Sequence, residues 1–328
     1  MHYIDMHCDT LAAAFAKKSE TAEHLRGAMA DIARLRSAGA KAQFFAMFLP
    51  QRDMPEWFGC ETMPEPEVLM NGMYEIYQRT LQSCRESIAP AQSYREFREN
   101  ERTGRMSAVL AIENGSVVQG RMENLKRFYD MGVRLITLTW NDANCLGYPH
   151  STVPEEMSRG LTGFGHEAVA YMEDLGMLID VSHLSDGGFW DVASHAKQTK
   201  KPFVASHSNC RALAPSTRNL SDEMIRTLAE CGGVAGLNLE PSFLNADPTD
   251  RASRVRRICD HAEHLADVGG IGCVGIGTDF DGIEGEFEIA DCTGMPRLFE
   301  ALHDRGFSWD ALEKIAHKNV ERVLREVL

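Results

Sequence analysis

Eight short apolar runs punctuate the chain, and amphipathic segments lie between them. The runs are HYIDMH (2–7), AQFFAMFL (42–49), SAVLAIE (107–113), VRLITLTW (133–140), MLIDVSH (177–183), PFVASHS (202–208), GVAGLNL (233–239) and CVGIGTDF (273–280). They are nearly continuous rather than alternating, the pattern of strands buried on both faces. Segments such as RMENLKRFYDMG (121–132) and SDEMIRTLAECGG (221–233) have the amphipathic pattern of surface helices. The second opens on Ser221 as an N-cap and runs out into glycine. Eight strands alternating with helices predict a (β/α)8 barrel of the TIM type, with residues 1–328 as one domain. A doubly wound open sheet is the alternative. The longest irregular insertions, about 50–70 and 141–163, follow strand C-termini. That end of a barrel carries the binding loops.

Composition narrows the partners. The 48 Asp and Glu against 34 Lys and Arg give a net charge of −14. Such a chain repels phosphate backbones, which argues against nucleic acid. No run of about 18 apolar residues offers a membrane span, and no basic-then-apolar leader opens the chain. The nine cysteines are scattered without a CxxC pair, which fits reduced thiols in a cytoplasm better than a disulfide framework. A cytoplasmic location with no membrane partner is therefore expected. The oligomeric state is left open, a homodimer being one admissible assembly.

The chemistry sits at the strand ends. Residues i and i+2 of a strand share a side, so His7 and Asp9 project together from the first run, with Asp5 deeper and Cys8 facing away. Taken alone, one His-x-Asp pair is better explained as a solvated strand end. However, Glu113 closes the third run, His183 the fifth and His207 the sixth, and Asp279 and Asp281 end the eighth. All would converge on the catalytic mouth of a barrel, as metal ligands do. The inventory exceeds the needs of one tetrahedral zinc, and two metals sharing a carboxylate fit it better, with Glu113 the natural bridge.

With these residues in place, the chain resembles the membrane (renal) dipeptidase family of zinc metallopeptidases, peptidase family M19. The matching stretches are DMHCDT, AIENG, LGMLIDVSHLS, KPFVASHSNCRAL, RNLSDE and GTDFDG, in family order from residue 5 to residue 282. The resemblance implies a metallodipeptidase with two zinc ions, one held by His7, Asp9 and Glu113 and the other by Glu113, His183 and His207. It implies that Arg218 holds the substrate's terminal carboxylate and that Asp279 works with the metal-bound water. Two residues depart from the mammalian pattern. Trp140 stands where a substrate-contacting histidine follows the fourth strand. An indole N–H donates but cannot ligate zinc or titrate, so the change bears on carbonyl polarisation and substrate range and spares the metal ligands. Glu240 stands where an aromatic residue is common. The chain looks like a soluble bacterial-type relative without a secretion signal or lipid-anchor tail.

The expected reaction is hydrolysis of a dipeptide by a hydroxide bridging two zinc ions, since zinc lowers the pKa of its water to roughly 7. Asp279 would act as general base and then acid, and Arg218 would fork onto the C-terminal carboxylate. The rivals are another binuclear amidohydrolase, acting on a lactone, cyclic amide or phosphoester, and a non-catalytic metal-binding protein. The former usually carry His-x-His after the first strand and often a bridging carbamylated lysine, where this chain has His-x-Asp and a glutamate. The proton acceptor Asp279 speaks against the latter. Three other motifs carry less. GIGCVG (270–275) runs into a strand, so it reads as a turn rather than a dinucleotide loop. DFDGIEGEFEIA (279–290) lacks the Gly and final Glu of a calcium loop. HAEH (261–264) reads as a solvated helix face, and Cys8 and Cys210 as core thiols.

Overall fold

The eight apolar runs become parallel strands that close on themselves. A computed structural model describes residues 1–328. Its strands are β1 (Tyr3–Cys8), β2 (Ala40–Phe48), β3 (Ile88–Pro90), β4 (Met106–Glu113), β5 (Val133–Thr137), β6 (Leu178–Asp180), β7 (Val204–Ala205), β8 (Val234–Leu237), β9 (Ala252–Ser253), β10 (Val274–Ile276) and β11 (Glu286–Phe287). The ring runs β1-β2-β4-β5-β6-β7-β8-β10, with β10 returning to β1. Helices connect consecutive ring strands, so the architecture is the expected (β/α)8 barrel and not an open sheet.

Three strands lay outside the sequence reading. β3 pairs only with β4, outside the ring, and β9 and β11 pair with each other. All are two or three residues long, too short to show a period. The later barrel strands are also shorter than their apolar runs, and the cause is local. The buried carboxylate of Asp180 takes the backbone N–H of Ser182 at 3.0 Å and of Ser206 at 2.8 Å. Asp5 does the same for Thr278 N at 2.9 Å and holds its hydroxyl at 2.6 Å. Side-chain acceptors thus replace the ladder, and the backbone turns outward where the polar residues begin.

Two apolar cores flank the ring. One includes Ile4, Met6, Phe44, Val109, Leu135 and Leu178 with Val320 and Leu324 of the C-terminal helix (Asn319–Val327). It draws on β1, β2 and β4–β8 and fills the barrel interior. β10 contributes Gly275, where a Cβ would meet Val234 at 2.7 Å and Met6 at 3.2 Å. Hence no larger residue fits there without moving the lumen. The larger core lies between strands and surrounding helices. Ser221 caps the helix Asp222–Glu230 by accepting from Met224 N, as expected, and Gly132 ends Met122–Met131 at φ 100°. GIGCVG is a turn leading into β10. His261 is not solvated: it is buried, its Nδ1 accepting from Cys210 N at 3.1 Å and its Nε2 donating to Leu244 O at 3.1 Å. The loop after β7 packs over that helix face and covers it. All nine cysteines are free thiols, and buried Cys8 faces Phe44 O, away from the mouth.

Candidate metal centre

Six predicted residues meet at the C-terminal mouth of the barrel: His7 and Asp9 after β1, Glu113 at the end of β4, His183 after β6, His207 after β7 and Asp279 after β10. None is more than 8% exposed. Glu113 divides its two oxygens. Oε2 lies 3.5 Å from His7 Nε2, whereas Oε1 lies 3.0 Å from His183 Nε2 and 3.7 Å from His207 Nε2. His7 Nε2 also stands 3.4 Å from Asp9 and 3.7 Å from Asp279. Two compact donor sets result, His7–Glu113–His207 and His7–Asp9–Asp279.

The donor set fits a cation. His183 Nε2 and His207 Nε2 face each other at 3.1 Å, yet each ring has already committed its other nitrogen. His183 Nδ1 donates to Asn141 Oδ1 at 3.2 Å, and His207 Nδ1 donates to Ser206 Oγ at 2.7 Å. Both Nε2 atoms therefore present lone pairs, an arrangement that wants a positive ion. Both nitrogens of His7 and Oδ1 of Asp9 are buried without a hydrogen-bond partner. Burial opposes protonation of His7, but Glu113 and Asp9 outweigh it and raise its pKa well above the usual value. Burial, then the charge of Glu113, lifts Asp9 to about 6. Burial also lifts Asp279 well above the carboxylate range, while it lowers His183 and His207. These three acids crowd one another unless a cation lies among them.

Several supporting residues lay outside the sequence reading. Ser206 Oγ in turn donates to Asp180 Oδ2 at 2.6 Å, so a buried carboxylate orients His207 through one hydroxyl. Asn141 is held from behind by His150, whose Nε2 donates to the same Oδ1 at 3.1 Å while its Nδ1 accepts from Thr217 at 2.8 Å. Burial, with Arg218 and His183 nearby, pulls His150 down to about 2, so its ring stays neutral. Asn238 donates from Nδ2 to Asp279 Oδ2 at 2.8 Å and accepts Glu240 N at 2.7 Å on its Oδ1, which fixes the amide orientation. Single Ser, Asn and His residues in loops carry no periodic signal. Only their position beside ligands, as in VASHS and LTWN, could have drawn attention to them.

Backbone geometry holds these side chains at some cost. His183, Asp279 and Asn114 have φ of 67°, 63° and 78°, a left-handed region that costs a non-glycine residue on the order of 1–3 kcal/mol and clusters at functional sites. A Cβ on Gly282 would stand 2.2 Å from Asp9 Oδ2 and 2.5 Å from Asp279 Oδ1, so only glycine lets this loop pass the carboxylates. Asp281 does not join the site. It accepts from Thr10 Oγ1 at 2.8 Å and from Met29 N and Ala30 N, tying the last loop to the first.

A cavity of ≈ 250 Å³ opens above the donors. The insertion after β2 supplies Met54 and Trp57, and Trp140 stands edge-on to Phe48 at 5.0 Å and 6.4 Å from His183. Arg218, in the loop after β7, is 5% exposed. Its guanidinium donates to Ser208 Oγ at 3.2 Å and His207 O at 3.3 Å and lies 5.0 Å from the ring of Phe243, which lines the cavity. Its Nε has no partner.

The family model described as membrane dipeptidase (peptidase family M19) matches residues 1–328. The chain belongs to this family. A dipeptidase of Aspergillus oryzae, aclJ, is 31% identical over 303 residues, covering 90% of this chain and 69% of the relative. An uncharacterized protein from the pqqA 5' region of Klebsiella pneumoniae is 37% identical over 229 residues, 68% of this chain and 82% of the relative. Among solved structures, a metallo peptidase from Rhodobacter sphaeroides, liganded with a phosphinate mimic of the dipeptide L-Ala-D-Ala, superposes with TM-score 0.86 at 25% identity, covering 100% of this chain and 99% of its own. The protein is a metallodipeptidase with the barrel of that family. No helix in it is long and apolar enough to cross a membrane.

Proposed function

We propose that this M19 enzyme is a binuclear zinc dipeptidase that cleaves dipeptides with a free C-terminal carboxylate. The observation that carries the reading is the split of Glu113, one oxygen toward His7 and the other toward His183 and His207. On this reading, His7, Asp9 and Glu113 hold one ion, and Glu113, His183 and His207 the other. Such a pair would supply an activated water and Lewis acidity toward the scissile carbonyl.

The chain's own residues do the rest. Asp279, held at Oδ2 by Asn238 with Oδ1 facing the donor set, accepts the attacking water's proton and returns it to the leaving amine. Arg218 offers its remaining N–H donors to the C-terminal carboxylate, one residue beyond the scissile bond. Trp140 and Phe48 form the apolar wall that keeps bulk water from the site. Substrates with a C-terminal D-residue belong in the trial set, because the Rhodobacter sphaeroides neighbour is liganded with an L,D-dipeptide mimic.

The test is a panel of L,L- and L,D-dipeptides with zinc-reconstituted protein, alongside metal analysis. Two zinc per chain with dipeptide turnover is expected. One ion at saturation would overturn the binuclear reading, and turnover of lactones but no dipeptide would overturn the substrate class.

A further inference from the structure

Orienting His183 uses only half of the Asn141 amide. Its Oδ1 lies 3.2 Å from His183 Nδ1 and 3.1 Å from His150 Nε2. Both ring nitrogens donate. His183 keeps Nε2 bare if it is to serve as a ligand, and His150 accepts the Thr217 hydroxyl on Nδ1 at 2.8 Å. The carbonyl end of the amide is thereby fixed, and the amino end with it. Nδ2 carries two N–H groups, and no protein atom accepts from either. The main chain is anchored as well, because Arg52 Nη2 donates to Asn141 O at 2.8 Å. Asn141 lines the cavity above the donor set, beside Glu113, Trp140 and His183.

Peptide hydrolysis gathers negative charge on the oxygen of the scissile carbonyl as its carbon becomes tetrahedral. A donor already in place for that oxygen needs no reorganisation when the charge develops. The cavity holds few candidates. Asp9, Glu113, Glu240 and Asp279 are acids, whose ionised oxygens accept and do not donate. His183 has spent its N–H on Asn141, and Ser242 its O–H on Glu240. The donors left are the Asn141 amide and the indoles of Trp57 and Trp140. Both indoles pack edge-on against Phe48. Of the three, Asn141 alone is hydrogen-bonded to a proposed ligand, and that ligand lies 3.0 Å from Glu113. Its amide is thus one imidazole ring from the donor cluster and opens on the same cavity.

We propose that Asn141 is a catalytic residue, donating from Nδ2 to the oxygen of the scissile carbonyl as that oxygen takes up charge. This rests on the dipeptide reading above. Two variants separate a donor from a mere support of His183. Asn141→Asp keeps an acceptor for both imidazoles and removes the N–H groups. Asn141→Ala removes the N–H groups without adding a charge. Both are compared with wild type on the best dipeptide of the panel, at zinc contents matched by elemental analysis. In each, kcat should fall about 10- to 150-fold, the factor that one hydrogen bond to a charged group supplies, while KM stays within about threefold. Calorimetric affinity for the phosphinate mimic of that dipeptide, a probe of the kind bound by the Rhodobacter sphaeroides neighbour, should weaken by a similar factor, because it presents charged oxygens on a tetrahedral centre. Wild-type kcat in Asn141→Asp would mean that the side chain only orients His183. Wild-type kcat in Asn141→Ala would mean that an added charge, not a lost donor, slows the Asp variant. Either result would overturn the inference, as would a fall in kcat with unchanged affinity for the mimic. Hydrolysis of no dipeptide by wild type would overturn the dipeptide reading itself, and this assignment with it.

Discussion

Replacing Arg218 by lysine keeps the charge and removes the fork. In the structure the guanidinium is 5% exposed and has no carboxylate in ion-pair contact. Burial pulls its pKa down only to about 10, so it stays a cation at neutral pH. Two protein acceptors, Ser208 Oγ and His207 O, use two of its N–H groups. Of the five donors a guanidinium carries, about three remain, enough to grip a carboxylate bidentately. Each hydrogen bond to a charged group contributes roughly 1.5–3 kcal/mol. Losing one of a pair should therefore lower kcat/KM for a dipeptide by about 10- to 150-fold, mostly through KM. Steady-state kinetics on a dipeptide and its C-terminal amide, in both enzymes, complete a double-mutant cycle. Amidation should cost wild type at least about tenfold more than it costs the variant. Metal content and melting temperature should stay near wild type, which separates a binding loss from a folding loss. A coupling of zero, with both enzymes equally sensitive to amidation, would refute the assignment of Arg218 to the carboxylate.

Other residues give equally direct tests. Glu113→Gln should lower the affinity for both ions together, read by elemental analysis across a chelator titration; loss of one ion alone would break the bridging assignment. Asp279→Asn should keep both ions and reduce kcat by about 10²–10⁴-fold; near-wild-type kcat would remove it from proton transfer. His150→Phe frees the Asn141 amide to rotate and should weaken metal binding about 10- to 100-fold, the usual effect of losing a partner behind a ligand; unchanged affinity would count against that support. Away from the site, Glu321 accepts from Lys41 at 2.5 Å and His317 at 2.6 Å. Burial opposes its ionisation, but these two donors overcome it and hold the carboxyl at about 2. A depressed carboxyl stabilises above its unfolded pKa of roughly 4.3 and loses that contribution as pH falls toward the folded value. Melting curves should thus show Glu321→Gln less stable than wild type near neutrality, with the gap closing between about pH 4.5 and 2; a gap independent of pH would refute the ion-pair account.

The ring of eight strands was legible because each strand is buried on both faces and so writes a run of apolar residues. The position of Glu113, His183 and His207 followed, because each ends such a run. What hid was the hardware behind them. Asp180 and Asp5 sit inside runs that read as plain strand, and nothing in a pattern shows that a carboxylate will take over backbone N–H groups and end the ladder early. His261 was misread because amphipathic spacing gives the exposed face of a helix only when no loop covers it, and here the loop after β7 does. Trp140 and Glu240 were visible as departures, but their common cavity appears only when the loops after β5 and β8 are folded together.

The groups proposed as ligands come from the first, third, fifth and sixth strands of the ring, and the acid beside them from the eighth. The two proposed ion sites together therefore need the chain from residue 7 to residue 207. A chain made from its N-terminus exposes His7 and Asp9 early, gains Glu113 with the third ring strand, and completes the second proposed site only with His207. On that assignment, tight metal capture is expected late in maturation, once the long-range pairing of β10 with β1 has closed the ring and fixed the donors. An unfinished or misfolded copy would hold the same side chains without their convergence, so ion binding would report completion of the ring.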